Sequence, residues 1–274
     1  MLFNQQQFET ALQAVAEQLS LSGTLKGIGQ PQGIPLHLFD TLPSTNQTLW
    51  ELIDQGATER TVVIAAQQTA GRGQWGRQWQ SSPGGLYLSV ALAPNLQASN
   101  SAQLTLCSAW GIATVLRGYG IPVFLKWPND LLLLGRKLGG ILTETRVHQG
   151  RITKAVVGVG INWRNCVPET GINLQSFCEE DLSCSVNSLE MVAAIVLQGL
   201  LSGYQHWSEE GIEILLQSYL ELLDNQGNQI LVDGMPGIIT GVTTTGELRV
   251  CLNSTKAASE ICLKPGTISL GYRR

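Results

Sequence analysis

Residues 67–79 read Q-Q-T-A-G-R-G-Q-W-G-R-Q-W, and no other stretch limits the fold as tightly. Three glycines (Gly71, Gly73, Gly76), two arginines (Arg72, Arg77) and two tryptophans (Trp75, Trp79) fall within nine residues. A β-branched run, T-V-V-I-A at 61–65, precedes it and reads as a buried strand. A second apolar run, L-Y-L-S-V-A-L at 86–92, follows across a Ser-Ser-Pro-Gly-Gly turn. Glycine has no Cβ and tolerates positive φ, so a loop of this kind lets backbone approach a ligand closely. Guanidinium forks suit carboxylate or phosphate. The stretch therefore predicts an anion-binding loop over a small-molecule pocket. The competing reading, a hairpin tip with solvated arginines, leaves two large indole rings unexplained. The loop has neither the G-x-x-x-x-G-K-[ST] nor the G-x-G-x-x-G spacing.

The rest of the chain narrows the ligand. At 274 residues and 43% hydrophobic, it can bury one sizeable core and leave room for a small appendage. A formal charge of −4 argues against general affinity for nucleic acid. Arg72, Arg77, Lys126, Arg136 and Lys137 nevertheless fall in or beside the motifs described here, which suits a small anionic ligand. Six cysteines form no C-x-x-C, and His37, His148 and His206 are far apart in sequence, so a structural metal site is not expected. Most thiols are expected to be reduced. The N-terminus has no basic and apolar export pattern, and no apolar run approaches a membrane span, so the expected compartment is the cytoplasm.

In chain order, residues 4–20 predict an amphipathic helix with Phe8, Leu12, Val15 and Leu19 on one face, followed by a Gly/Pro/Gln-rich tether. Residues 1–34 are read as this helix plus tether, 35–226 as a ligand-binding domain, and 227–274 as a small β-barrel domain. A short strand at 37–40 leads into a helix from about Ser44, where Ser44 or Thr45 has the right type to cap the first turn. That helix start also suits contact with a polar ligand head group. A helix is predicted over 102–118, then a strand at 121–127, apolar strands from 131 and 137, and one at 154–163. As isolated residues, Lys126 and Lys137 would be solvated strand ends. The paired glycines Gly139 and Gly140 instead suggest close approach of backbone or ligand. Gly158 and Gly160 share one sheet face, which could accept a planar ring such as adenine or pack on a helix. Asn162 carries a two-way amide that could read a base edge. Residues 166–185 read as a lid or loop, 189–207 and 212–223 as helices, and 229 onward as short β runs.

Three segments in fixed order, Ser44-Thr45-Asn46, G-R-G-Q-W-G-R-Q-W (71–79) and K-W-P-N-D…R-K-L-G-G-I-L (126–142), closely resemble those of biotin–protein ligases. G-V-G-I-N (158–162) is a fourth match, and the resemblance is strong over about 36–165. It implies an α+β fold: a mixed sheet flanked by helices, like class II aminoacyl-tRNA synthetases, with the small C-terminal β-barrel. It implies a biotin–[acetyl-CoA-carboxylase] ligase. Biotin and Mg·ATP would give biotinyl-AMP, and a lysine of a biotin carboxyl carrier protein would then take the biotinyl group. Carried over by position, Ser44, Thr45, Asn46, Gln68, Gly71, Arg72, Gly73, Gln74 and Lys137 would bind biotin. Arg72, Arg77, Trp79, Lys126, Asn129, Asp130 and Asn162 would face ATP or the adenylate. Lys137, Arg72 and Lys126 would carry the chemistry, with magnesium held through the phosphates and Asp130 as a candidate ligand.

Two departures stand out. The family loop commonly reads G-R-G-R-x-G-R, whereas here the second arginine is Gln74, followed by Trp75. Trp75 is the candidate to cover the adenylate in its place. The residues ahead of the matched region are too few for a winged-helix DNA-binding domain, so the expectation is a monofunctional type without DNA as partner. A homodimer is left open. The rival readings are a lipoate or octanoate ligase or transferase of the same fold, a non-catalytic biotin-binding protein, and an RNA-binding protein using the C-terminal strands. The acidic balance and the lack of a basic, aromatic strand face disfavour the last.

Overall fold

The computed structural model describes residues 3–23, 25, 33–181, 183–252 and 259–272. The predicted tether at 24 and 26–32 and the Asn-Ser turn at 253–254 lie outside them. The elements are α1 (Gln5–Ser22), β1 (Leu36–Leu42), α2 (Thr45–Asp54), β2 (Val62–Gln68), β3 (Leu86–Leu92) and β4 (Leu96–Gln97). They continue with α3 (Ala102–Gly118), β5 (Phe124–Lys126), β6 (Asp130–Leu133), β7 (Arg136–His148) and β8 (Arg151–Ile161). Next come α4 (Leu174–Glu180), α5 (Leu189–Glu210) and α6 (Ile212–Glu221). Strands β9 (Gln229–Val232), β10 (Met235–Val242), β11 (Leu248–Leu252) and β12 (Ser259–Leu263) end the chain's regular structure.

Eight strands form one mixed sheet in the order β1-β2-β3-β8-β7-β6-β5, with β4 pairing β8. Only the β1–β2 pair is parallel. Strand β3 is buried at every position, as expected for a central strand covered on both faces. Alternation along β2 divides two cores. Val62 and Ile64 join the main core, whereas Val63 and Ala65 turn to the other face, where Leu49 and Ile53 of α2 cover them. The larger face carries α3 and α5. Their backbones touch at Gly111, Gly199 and Gly203, where any Cβ would strike the opposite helix. Helix α1 docks outside α5 through Phe8, Leu12 and Val15, all buried, and Gln198 Nε2 donates to the Leu12 carbonyl at 3.2 Å. No helix among the described residues is long and apolar enough to cross a membrane.

Two expectations need correction. The C-terminal strands form an open antiparallel sheet, β12-β11-β10-β9, and not a barrel. Four short strands need not close on themselves, because their inner face (Ile239, Val242, Leu248, Val250) is buried in the main core. The stretch 166–185, read as a lid or loop, is irregular only in part. It contains α4, and its earlier part runs beside β7, where Lys137 N donates to the Thr170 carbonyl at 2.8 Å and Ile172 N to the Lys137 carbonyl at 3.0 Å. Four cysteines are free, as expected for most of them, and a disulfide joins Cys178 within α4 to Cys184 just beyond it.

The glycine contact between α3 and α5 makes a stability prediction. A methyl at Gly111 would collide with the Gly199 carbonyl oxygen, and backbone cannot move aside as a side chain can. Gly111→Ala should therefore destabilise by about 1–3 kcal/mol through overpacking, despite alanine's better helix propensity. Thermal unfolding followed by circular dichroism should show a midpoint lowered by several degrees. An unchanged or raised midpoint would mean that the helices separate at no cost.

Candidate active site

One cavity of about 190 Å³ opens on the face carrying α2. Its floor is sheet. Gly140 pairs with Gly160 and Leu142 with Gly158 across β7 and β8, so that patch of surface carries little side-chain volume.

The first wall is the N-terminus of α2. Ser44, Thr45 and Asn46 are all buried and all line the cavity. Ser44 occupies the cap position, but its hydroxyl makes no capping bond. The first turn is served from outside instead, since the Thr45 amide donates to Gln68 Oε1 at 2.8 Å. Gln68 is itself oriented by donating Nε2 to Ser81 Oγ at 2.7 Å. Asn46 Nδ2 donates to the Leu142 carbonyl at 3.2 Å and to Glu144 Oε2 at 2.9 Å, while its Oδ1 accepts from Ser89 Oγ at 2.6 Å. A Cβ at Gly158 would collide with that Oδ1. The result is a polar cradle of amides and hydroxyls without formal charge at its base, suited to a neutral ring with hydrogen-bonding edges.

The second wall is the glycine-rich loop. Gly73 N donates to the Arg77 carbonyl at 2.7 Å and Trp79 N to the Gly71 carbonyl at 2.9 Å, which closes 71–79 on itself. One 3₁₀ turn, Gln74–Gly76, caps it, with Trp75 in the left-handed region at φ 55°. Arg72 reaches Glu144 Oε2 at 3.0 Å, and its Nε lies 3.4 Å from Ser44 Oγ. The Trp79 ring lies on Gly160, and its Nε1 is buried without an acceptor among the described residues. Gln74 Oε1 is likewise buried and unpaired. An unpaired buried polar atom costs about 1–3 kcal/mol, and two such atoms lie on this wall.

The third wall is cationic. Lys126 and Asp130 face each other across β5 and β6, joined through a turn with a cis Trp127–Pro128 peptide. Lys137 Nζ lies 2.5 Å from Asp130 Oδ1, and the Tyr272 hydroxyl donates to Asp130 Oδ2 at 2.5 Å. Lys126 Nζ sits 3.3 Å from the centre of the Tyr272 ring. Lys126 is only 4% exposed. Burial pushes its ammonium down to about 8, against the pull of Asp130 and with help from the positive charges of Lys137 and Arg77. Burial, and next the Asp130 charge, push the Tyr272 phenol upward, so it stays a neutral donor.

Of the residues singled out from sequence, Ser44, Thr45, Asn46, Gln68, Arg72, Gly73, Gln74, Arg77, Trp79, Lys126, Asn129, Asp130 and Lys137 line this cavity, and so does Trp75. Gly71 and Asn162 do not line it. Gly71 is required where Trp79 and Ser81 crowd its backbone. Asn162 Nδ2 donates to the Lys137 carbonyl at 3.3 Å, and its Oδ1 accepts from Asn165 at 3.0 Å, so its amide holds β7 rather than reading a base. The glycine face, left open between receiving a planar ring such as adenine and packing on a helix, is covered at Gly158 by Asn46 of α2 and at Gly160 by Trp79. Glu144, Ser89 and Tyr272 were missed. Strand alternation could have found Glu144, which shares a face with Gly140 and Leu142. Nothing local marks Tyr272, which arrives from the end of the chain.

Residues 38–162 match the biotin/lipoate A/B protein ligase family. The bifunctional ligase/repressor BirA of Escherichia coli is 33% identical over 221 residues, covering 77% of this chain and 66% of that protein. Its counterpart in Bacillus subtilis is 41% identical over 125 residues, 45% of this chain, and the match spans only 38% of that protein's length. Among solved structures, the Aquifex aeolicus biotin protein ligase in complex with biotin and ATP superposes with a TM-score of 0.68 at 26% identity. It covers 83% of this chain and 95% of that one. Sequence, fold and cavity agree, and the chain belongs, through residues 38–162, to the biotin/lipoate A/B protein ligase family.

Proposed function

We propose that this chain couples biotin to AMP, with release of pyrophosphate, and passes the biotinyl group to a lysine of a biotin carboxyl carrier protein of acetyl-CoA carboxylase. The observation that carries the reading is the joining of a neutral polar cradle to a cluster of cations in one cavity. Biotin is a cyclic urea with an acid tail. The urea would pair with the Thr45, Asn46 and Gln68 end, and the tail would point toward Arg72 and Lys137. A lipoyl dithiolane offers no N–H or C=O to such a cradle and would gain no hydrogen bonds there. The aeolicus enzyme, solved with biotin and ATP, supports the same pair of substrates.

The first step joins two anions. Biotin's carboxylate is ionised at pH 7, so attack on the α-phosphorus needs no general base. It does need positive charge where the two meet, which Arg72, Lys126 and Lys137 bring from three parts of the chain. In the second step a carrier lysine attacks the acyl carbon, loses a proton, and AMP leaves. The charge pair between Arg72 and Glu144 is partly exposed and worth about 0–1 kcal/mol, so an incoming carboxylate can exchange with Glu144 at little cost. No group of three metal-ligating side chains exists among the described residues, and both Asp130 oxygens are engaged. These residues do not make a magnesium site in this conformation, and no step is assigned to the metal.

Three measurements follow from this reading. Lys137→Ala should lower adenylate formation, read as pyrophosphate release, by at least about 10²-fold while the fold is retained. Near wild-type release would remove Lys137 from the mechanism. The lowered Lys126 value means that its positive charge is mostly present at pH 7 and is lost as pH rises through about 8. The kcat/KM for ATP should fall along that limb, and Lys126→Arg, which stays charged, should move the limb upward; an unmoved limb would assign it to another group. Gln74 leaves the loop one arginine short of the common pattern, so Gln74→Arg should reduce biotin labelling of a bystander protein by better retaining the adenylate. Equal labelling would discard that role.

A further inference from the structure

The C-terminal tail occupies part of the cavity that the proposed reaction needs. Ile268, Ser269, Leu270 and Tyr272 all line it. A turn at the end of β12, with Thr267 N donating to the Lys264 carbonyl at 3.1 Å, redirects the chain toward the glycine-rich loop. Gly266 allows that path: its φ of +96° suits glycine, and a Cβ there would come within 2.9 Å of the Trp75 ring. Beyond the turn, Tyr272 places its ring over Lys126 and its hydroxyl on Asp130. These two residues flank the place where the ligase reading puts phosphate. The remaining space is about 190 Å³, below the roughly 300–1,000 Å³ of typical small-molecule sites.

We propose that residues 268–272 form a displaceable plug at the nucleotide end of the cavity, so that ATP binds in competition with this chain's own Tyr272. The inference rests on the ligase reading and deepens it. A neutral phenol and its ring satisfy Lys126 and Asp130 and exclude water while no anion is present. A polyphosphate brings several negative charges to Lys126, Lys137 and Arg77, and so displaces a side chain that brings none. The turn at 264–267 is where the tail can swing without disturbing β12. The tail's two polar contacts are with Lys126 and Asp130, at the phosphate end and not at the Thr45, Asn46 and Gln68 end proposed for the biotin ring. The apparent affinity for ATP is therefore reduced by the fraction of molecules in which the tail is out, whereas that for biotin is not.

Steady-state pyrophosphate release by the full chain tests this, with ATP varied at saturating biotin and biotin varied at saturating ATP. Tyr272→Ala should lower the KM for ATP by about tenfold if nine molecules in ten hold the tail in, and leave the KM for biotin unchanged. Tyr272→Phe keeps the ring on Lys126 but loses the bond to Asp130, and should fall between the two. Titration with a non-hydrolysable ATP analogue should show the same order of affinities without turnover. A KM for ATP that is unchanged or raised in both variants, or a loss confined to kcat, would overturn the plug while wild-type activity left the ligase reading standing. A wild-type chain that makes no biotinyl-AMP would overturn both.

Discussion

In the β7–β8 ladder, Gly140 faces Gly160 and Leu142 faces Gly158, and the cavity exists because this patch of sheet has almost no side chains of its own. Every wall leans on that floor. Asn46 reaches across Gly158 to bond the Leu142 carbonyl, and the Trp79 ring lies flat on Gly160. A single-residue slip of β7 against β8 would turn Gly140, Leu142 and Glu144 to the opposite face. The cradle and the anchor of Arg72 would then be lost together. The bulge between Arg146 and Val147 lies beyond the site, so the irregular end of this long hairpin does not disturb the register where it matters.

Above this floor the cations are held in two different ways. Arg72 rests on Glu144 in a partly exposed pair, which solvent screens and a ligand carboxylate can replace. Lys126 is withdrawn from water under Tyr272, next to Asp130. A buried ammonium is strongly disfavoured unless it is paired, so this arrangement is tense in a useful direction. Asp130 is shared by two donors, Lys137 and Tyr272, and cannot neutralise Lys126 fully. The site is thus left receptive to further negative charge, placed beside the cradle where a neutral ring fits.

Much of the fold was legible locally. Helix α3 and strand β3 fall on the expected spans, because a 3.6 period sustained over 17 residues favours a helix and a seven-residue apolar run bounded by Gly and Pro favours a strand. The glycine-rich loop was expected between two strands and is found there. The closure of the C-terminal strands was not legible, since β texture is the same in a barrel and in an open sheet whose inner face the main core covers. The glycine pair of β8 was undecided for a similar reason. Alternation shows that Gly158 and Gly160 share a face, but says nothing of which side chains come to lie on it. Likewise Asn162 ends a motif that points toward the site, yet its amide turns to the Lys137 carbonyl.

The sequence by itself determined which chemistry could be assembled: two arginines and a loop of glycines, two lysines on the strands either side of β6, and a run of small polar residues opening a helix. These are properties of short windows, and their order along the chain is enough to recognise a family. Only the tertiary structure decided how the charges are shared. Asp130 chooses Lys137 and Tyr272, Arg72 chooses Glu144, and the tail closes over Lys126 from 142 residues beyond Asp130. The physical reason is that electrostatic partnership depends on distance in space and on exclusion of water, and neither quantity is written in sequence separation.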